Sequence, residues 1–274
     1  MLRHSTPRDP GVRLSVLLYH HIGLPTAHTE ALGLTIHPYK FAQHLRLLRW
    51  LGYNAITTRH WLAWYKNGDA LPDKPILLTF DDAYVETVQF ALPLLEKFGF
   101  GGCFFAITGH DLIAKCWEGL PIMTMEDLRS LPVRGIEIGA HTRTHPDLSS
   151  VDDLTLESEV KGSREDLVKS ELSPTSFAYP YGIVDDRIRN IAAKNYDIAF
   201  TCVEGLNDIH TDLMLMRRTC VSSRDTLIDI ALRARLGWSP LRNVAARVRL
   251  RSRLRGALRR IWRAARPRTR GVRL

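Results

Sequence analysis

Cysteine is scarce in this sequence, and the four cysteines that occur are spread along the chain. Cys103, Cys116, Cys202 and Cys220 form no CxxC pair. Isolated cysteines, two of them inside predicted strands, are typical of reduced core positions. The cysteines therefore predict a cytoplasmic protein without structural disulfides.

A long apolar run is also missing, since no stretch of about 18 uninterrupted apolar residues occurs. Residues 1–13 carry charges and prolines, and they show neither an apolar run nor a small-residue cleavage site. We therefore expect neither secretion nor a membrane span. Because 45% of the 274 residues are hydrophobic, the chain can bury a sizeable core.

Acidic residues and lysines are absent from residues 233–274, which contain fifteen arginines. The whole chain has a formal charge of +9, so residues 1–232 carry −6. Apolar residues recur on one face of a helix predicted here: Leu250, Leu254, Leu258, Ile261 and Trp262. A basic amphipathic helix is expected to rest on an anionic membrane surface, here the inner face of the membrane. A solvated extension is the alternative, and nucleic acid is a less favoured partner because no nucleic-acid module accompanies the tail.

Strand and helix signals alternate seven or eight times between residues 14 and 236. Strands are predicted at residues 14–19, 54–57, 76–80, 103–107, 135–140, 175–179, 197–202 and 213–221. One of the helices, over residues 151–170, is predicted to open at Ser149 or Ser150. Alternation with short connections requires parallel strands with helices packed outside, and a barrel is the economical closure. The predicted divisions are an extension (1–13), a barrel (14–236) and a basic helical tail (237–274).

The third predicted strand ends in two adjacent carboxylates, Asp81 and Asp82. Residues 76–80 are mostly apolar, and a buried strand has no reason to end in two charges unless they are used there. Neighbouring side chains of an extended backbone point to opposite faces, so both carboxylates can face one ligand only if a turn begins at Asp82. The alternative is that they form an N-cap and turn for a helix over residues 85–98.

Two histidines follow the fifth predicted strand within GAHTRTHPDLS, residues 139–149. The spacing of His141 and His145 lets two imidazoles converge on one ion across a single turn. Chance HxxxH pairs are common, and His145 before Pro146 could simply cap the loop. Together with Asp82, however, the imidazoles supply three ligands and leave a position open to water, which implies catalysis.

The combined segments resemble the polysaccharide deacetylase family, the NodB-homology group of carbohydrate esterases in family four. TFDDAY matches the first motif of that family, HTRTH the second and FAYPYG the third. The resemblance runs from the LLYHHIG strand to about residue 221. It implies an α/β fold, a distorted barrel of seven or eight β/α units, with a divalent ion that is usually zinc, cobalt being another candidate.

The resemblance also implies a reaction and roles for single residues. It assigns Asp81 as general base, Asp82, His141 and His145 as metal ligands, and the Tyr181 backbone N–H as a donor to the oxyanion. The expected reaction removes an N-acyl group, most often acetyl, from an amino sugar. The expected substrate is an N-acetylated glycan or a lipid-linked intermediate.

Two positions depart from the family pattern. Ala178 replaces the arginine of the third motif that orients the base, and the late Leu-x-His motif that supplies an acid is not evident. Arg217 or Arg218 could replace the arginine, and His20 or His210 could replace the acid. We select His20 because it follows the first strand, whose carboxyl end neighbours the metal in a barrel.

These departures keep a rival hypothesis open. A barrel that retained the metal ligands but lost the acid and the arginine would bind carbohydrate without cleaving it. In that case its basic tail would dock the protein on membrane or nucleic acid.

Overall fold

The computed structural model describes residues 9–27, 29, 33–110 and 116–241. Their strands are β1 (Ser15–Tyr19), β2 (His21–Ile22), β3 (Thr35–Ile36), β4 (Asn54–Ala55), β5 (Pro75–Asp82), β6 (Gly102–Ala106), β7 (Cys116–Trp117), β8 (Leu120–Pro121), β9 (Ile136–Ala140), β10 (Ser176–Ala178), β11 (Ile198–Phe200) and β12 (Thr219–Cys220). Their helices are α1 (Pro38–Trp50), α2 (Thr58–Asn67), α3 (Val85–Phe98), α4 (Met125–Arg129), α5 (Asp153–Lys169), α6 (Asp186–Asn195) and α7 (Leu227–Leu236). The arginine-rich helix predicted around residues 250–265 lies outside the described residues, so the tail and the three divisions stay predictions.

Seven strands form one parallel sheet in the order β11-β10-β9-β6-β5-β1-β12, and β4 pairs with the start of β5. All neighbours in this sheet are parallel, as the alternation of strands and helices requires. In the register of β5 and β6, Asp81 lies beside Phe105 and Asp82 beside Ala106. The carboxyl ends of the strands therefore meet at one edge, where the site residues were expected.

The segment after residue 215 contacts both ends of the sheet, because Met216 lies beside β11 and the outer strand β12 follows it. On one side Met216 bridges Phe200, and its carbonyl accepts a hydrogen bond of 2.8 Å from the Thr201 N–H. On the other side β12 pairs with β1 in parallel. The sheet therefore curls into the distorted barrel that the sequence predicts.

Alternation along β5 divides the core into two layers. Leu77 belongs to a cluster that includes Phe105 and Phe200, which fills the inside of the barrel. Leu78 and Phe80 belong to the larger cluster between the sheet and its helices. Because side chains alternate, Asp81 continues the inner row and lies at the upper mouth of the barrel.

Two local predictions are wrong. Helix α5 begins after Asp152, whose side chain accepts the Thr155 N–H, because Ser149 and Ser150 are used in a separate 3-10 turn. The predicted strand over residues 213–221 is a 3-10 turn at Leu213–Leu215 followed by the two-residue strand β12.

Cys103, Cys202 and Cys220 are free thiols. None of the helices in the described ranges is long and apolar enough to cross a membrane.

Candidate active site

The upper end of β5 carries both aspartates on a turn that starts where the sequence requires it. Asp82 has φ of 68° and Ala83 has φ of 52°, so the chain leaves the extended conformation at Asp82. The N-cap of α3 is Tyr84, which makes no side-chain capping bond, so neither aspartate caps that helix. Both carboxylates are buried at 2% and 3% exposure. Because of this turn, the Asp82 side chain points towards the histidines and not into the helix layer.

Three ligand atoms converge at this edge of the sheet, those of Asp82, His141 and His145. The two imidazole Nε2 atoms are 3.1 Å apart. Oδ1 of Asp82 lies 3.7 Å from Nε2 of His141 and 3.8 Å from Nε2 of His145. A tetrahedral ion with ligand distances of about 2.0–2.1 Å separates its ligand atoms by roughly 3.3–3.4 Å. The spacing of the three atoms fits such an ion.

The hydrogen bonds of these groups also fit a metal ion. Oδ1 of Asp82 is buried and has no hydrogen-bond partner among the described residues. Nδ1 of His141 lies 2.7 Å from the Ala178 carbonyl, which makes it the N–H donor and leaves the Nε2 lone pair facing His145 and Asp82. Donors held this way suit a divalent ion that accepts nitrogen and oxygen ligands.

Burial dominates the electrostatics of the three ligands. It raises the pKa of Asp82 well above its ordinary value, and the neighbouring charge of Asp81 adds to the shift while a hydrogen bond from Tyr84 opposes it. Burial lowers the pKa of His145 to about 3, with repulsion from His141 adding to it. Burial likewise lowers the pKa of His141, against the attraction of Asp81. The imidazoles are therefore neutral, the form that binds metals.

Asp81 has a different environment from Asp82, because Arg218 binds both of its oxygens. The guanidinium donates bonds of 2.6 Å to Oδ1 and 2.9 Å to Oδ2. Burial alone would raise the pKa of Asp81, but the charge and hydrogen bonds of Arg218, together with His141, lower it overall. A bidentate pair of this kind fixes the plane of the carboxylate as well as its charge.

The sequence leaves Arg217 and Arg218 open as the arginine that replaces the one missing from the third motif, and Arg218 is the one bonded to Asp81. The Arg218 side chain is fully buried, lies 5.5 Å from the Phe105 ring centroid, and donates through Nε to the Thr201 carbonyl. Arg217 is exposed, and its side chain lies against Gly205. Arg218 therefore occupies the place beside Asp81 that Ala178 cannot fill.

The two remaining predicted catalytic residues both lie near this cluster. Nδ1 of His20 is buried without a hydrogen-bond partner in the described ranges, and burial lowers the pKa of His20 to about 4 against the attraction of Asp81. The Tyr181 ring packs edge-on against His145 at 4.8 Å between centroids. Tyr181 has φ of 57°, and the hydrogen bonds of its turn are made by the N–H groups of the two following residues. His210, the alternative acid, is exposed in a turn closed by Asp208.

Comparison with known protein families matches the central part of the chain. A family model described as polysaccharide deacetylase covers residues 68–197. That span holds Asp81 and both motifs with the proposed metal ligands, whereas His20 and Arg218 lie outside it.

Sequence relatives and solved structures agree with the family match. YxkH of Bacillus subtilis is 24% identical over 212 residues, which cover 77% of this chain and 72% of the relative. A poly-beta-1,6-N-acetyl-D-glucosamine N-deacetylase of Staphylococcus aureus is 23% identical over 185 residues, 64% of this chain and 63% of that protein. The Streptococcus pyogenes deacetylase PplD, solved with acetate, has a TM-score of 0.73 at 25% identity over 80% of this chain and 97% of its own. IcaB of Ammonifex degensii has a TM-score of 0.70 at 25% identity over 82% and 97%.

Proposed function

We propose that the chain is a polysaccharide deacetylase, like the relatives it resembles, and that it removes an N-acetyl group from an amino sugar in a metal-dependent reaction. The observation that carries the proposal is the convergence of Asp82, His141 and His145. Beside them lies a second carboxylate, Asp81, whose two oxygens are bonded to Arg218. Three protein ligands with an additional carboxylate alongside are the composition of a hydrolytic site rather than of a structural one.

Asp82, His141 and His145 would hold the ion, with zinc as the first candidate and cobalt as the second. When bound, such an ion polarises an acyl carbonyl and lowers the pKa of a water ligand. The hydrogen bond from His141 to the Ala178 carbonyl keeps the imidazole in the tautomer that this requires. No rearrangement of the protein is needed to bring the three ligands together.

Asp81 is the proposed general base. Since Arg218 lowers its pKa, the carboxylate is ionised at neutral pH and can accept a proton from the attacking water. Since Arg218 also binds both oxygens, the carboxylate cannot rotate away from that position. Arg218 thus takes over the orienting role for which the third motif has no arginine.

His20 is the proposed general acid, and the Tyr181 backbone N–H is the proposed oxyanion donor. Nδ1 of His20 is buried and has no hydrogen-bond partner in the described residues, so no protein group competes for its proton. Negative charge that develops on the acyl oxygen raises the pKa of a nearby imidazole, so attack itself favours the form of His20 that protonates the leaving amine. One oxyanion donor is typically worth about 3 kcal/mol of transition-state stabilisation.

The alternative, a barrel that binds carbohydrate without cleaving it, was suggested partly by the missing arginine of the third motif. Because Arg218 binds Asp81 in its place, that alternative is weaker. The Staphylococcus aureus relative is named as acting on poly-β-1,6-linked N-acetylglucosamine. We therefore propose oligomers of that sugar as the first substrate class, followed by chito-oligosaccharides and lipid-linked N-acetyl sugars.

Acetate release from this panel tests the proposed function. The parent protein should hold about one divalent ion and release acetate from at least one substrate. Asp81→Asn should keep the ion and lose turnover by about 10²–10⁴-fold, the range for a general base. Asp73→Asn is the matched control, since it makes the same charge change just before the other end of the same strand and is exposed. Acetate release that survives Asp81→Asn, or full metal content after His141→Ala, contradicts the proposal.

A further inference from the structure

The loop that carries both histidine ligands has a backbone that its residues do not favour. Thr142 has φ of 65° and His145 has φ of 58°, values in the left-handed region that suits glycine. These two turns bring imidazoles four residues apart to an Nε2 separation of 3.1 Å. A loop in this conformation persists only where its surroundings hold it.

Glu159, on helix α5, holds this loop from one side, while the N–H groups of Thr108 and Gly109 donate to its carbonyls from the other. Its Oε2 accepts the Arg143 N–H and the Thr144 N–H, each at 2.8 Å, and its Oε1 accepts the Thr144 hydroxyl at 2.7 Å. The residue is 7% exposed. Successive backbone N–H groups form a concavity that binds an anion, and here the anion is the Glu159 carboxylate. The bonded residues lie between the two ligands, so their position sets the angle between the imidazoles.

The same face of α5 is shaped around the rest of the loop. Gly162 gives room to the Arg143 side chain, since a Cβ there would lie 2.8 Å from Arg143 Cδ. Asp166 accepts bonds of 2.8 Å and 3.3 Å from the Arg143 guanidinium and one of 3.0 Å from Thr108. Positions 159, 162 and 166 recur at helical spacing on one face. Helix α5 therefore contacts the ligand loop at its backbone and at its central side chain.

We propose that Glu159 is a positioning residue for the metal centre, acting through the backbone of residues 143 and 144 to hold His141 and His145 at the separation a divalent ion needs. This inference rests on the proposed metal-dependent function. Without the carboxylate, two partly buried N–H groups lose their acceptor. The loop then keeps only its own bond from the His145 N–H to Thr142 and its backbone bonds to residues 108 and 109, which hold it less firmly. The imidazoles then spread, and the ion binds less tightly before any substrate is present.

The test measures metal affinity in the absence of substrate, by chelator competition on the full chain. Glu159→Gln keeps the length of the side chain but presents an amide in place of one acceptor oxygen, and Thr144→Val removes the hydroxyl bond alone. Glu157→Gln makes the same charge change two residues earlier on the exposed face of α5 and serves as the control. Loss of a group that orients metal ligands typically weakens affinity by about 10–100-fold. We expect that loss in Glu159→Gln, a smaller loss in Thr144→Val and none in Glu157→Gln.

A second readout separates positioning from stability. The Co²⁺-loaded protein should show a changed d–d absorption spectrum in Glu159→Gln, because the ligand geometry differs, and the parent spectrum in Glu157→Gln. A Glu159→Gln protein whose affinity stays within threefold of the parent and whose cobalt spectrum is unchanged overturns the inference, even if its metal-free unfolding temperature falls. A parent chain that binds no divalent ion overturns the proposed function and this inference with it. Metal binding in the parent without acetate release contradicts only the proposed function.

Discussion

Both ends of the barrel bury carboxylates, and Glu137 at the lower end differs from Asp82 at the upper end in its hydrogen bonds. Near the lower end, Glu137 of β9 is 8% exposed, and both of its oxygens accept hydrogen bonds, from the Thr58 N–H at 2.8 Å and the Thr175 hydroxyl at 3.2 Å among others. At the upper end, Asp82 is 3% exposed, and its Oδ1 has no partner in the described residues. A buried charge is costly unless it is paired, so the unbonded oxygen of Asp82 is the feature that the proposed metal site accounts for.

Backbone strain follows the same division. Eight described residues other than glycine have positive φ, and five of them lie at the upper site. They are Asp82, Ala83, Thr142, His145 and Tyr181. Conformations of this kind cost of order 1–3 kcal/mol each and collect where function requires them. Backbone strain is thus concentrated at the upper end, where the candidate active site lies.

Replacing Arg218 should lower turnover more than replacing His20 or Glu137 does. Arg218→Lys keeps the charge but loses the two-pronged contact, so Asp81 can rotate within the site. We expect turnover to fall by about a hundredfold or more, which is equivalent to about 2.7 kcal/mol, with metal content unchanged. Arg217→Lys, one residue earlier and exposed, should match the parent. Equal turnover in the two variants would show that Asp81 needs no fixed orientation.

The choice between these arginines shows where sequence reasoning reached its limit. The short apolar run before Asp81 predicts its strand, and the turn at Asp82 follows from the need to face one ligand. No such pattern surrounds Arg218, because Leu213–Leu215 forms a 3-10 turn and β12 has only two residues. A strand that short has no readable alternation, so only the packed structure shows which arginine points inward. The role of Glu159 has no sequence pattern for a related reason, since two of its three partners are backbone N–H groups, which every residue but proline carries.

Replacing His20 tests the second buried group of the upper end that lacks a hydrogen-bond partner in the described residues. His20→Ala should reduce turnover by about a hundredfold while the ion stays bound, because a general acid contributes about 10²–10⁴-fold. His210→Ala is the control that the sequence itself suggests, since His210 was the alternative acid and is exposed. Turnover measured with metal content decides the matter. If His20→Ala stays within twofold of the parent, or His210→Ala is equally slow, His20 is not the acid.

Replacing Glu137 should give the smallest effect on catalysis and a clear effect on stability. Glu137→Gln keeps the shape of the side chain but presents an amide to a site where the Thr58 N–H, the Thr58 hydroxyl and the Thr175 hydroxyl all donate. Hydrogen bonds to a charged group are worth about 1.5–3 kcal/mol, so the free energy of unfolding should fall by about that amount. Turnover and metal content at a temperature well below the transition should stay at parent values, because the change lies at the end of the barrel away from the proposed ligands. A Glu137→Gln protein that loses metal while keeping its stability would break the division between the two ends. Denaturant unfolding and metal analysis on the same preparation distinguish these outcomes.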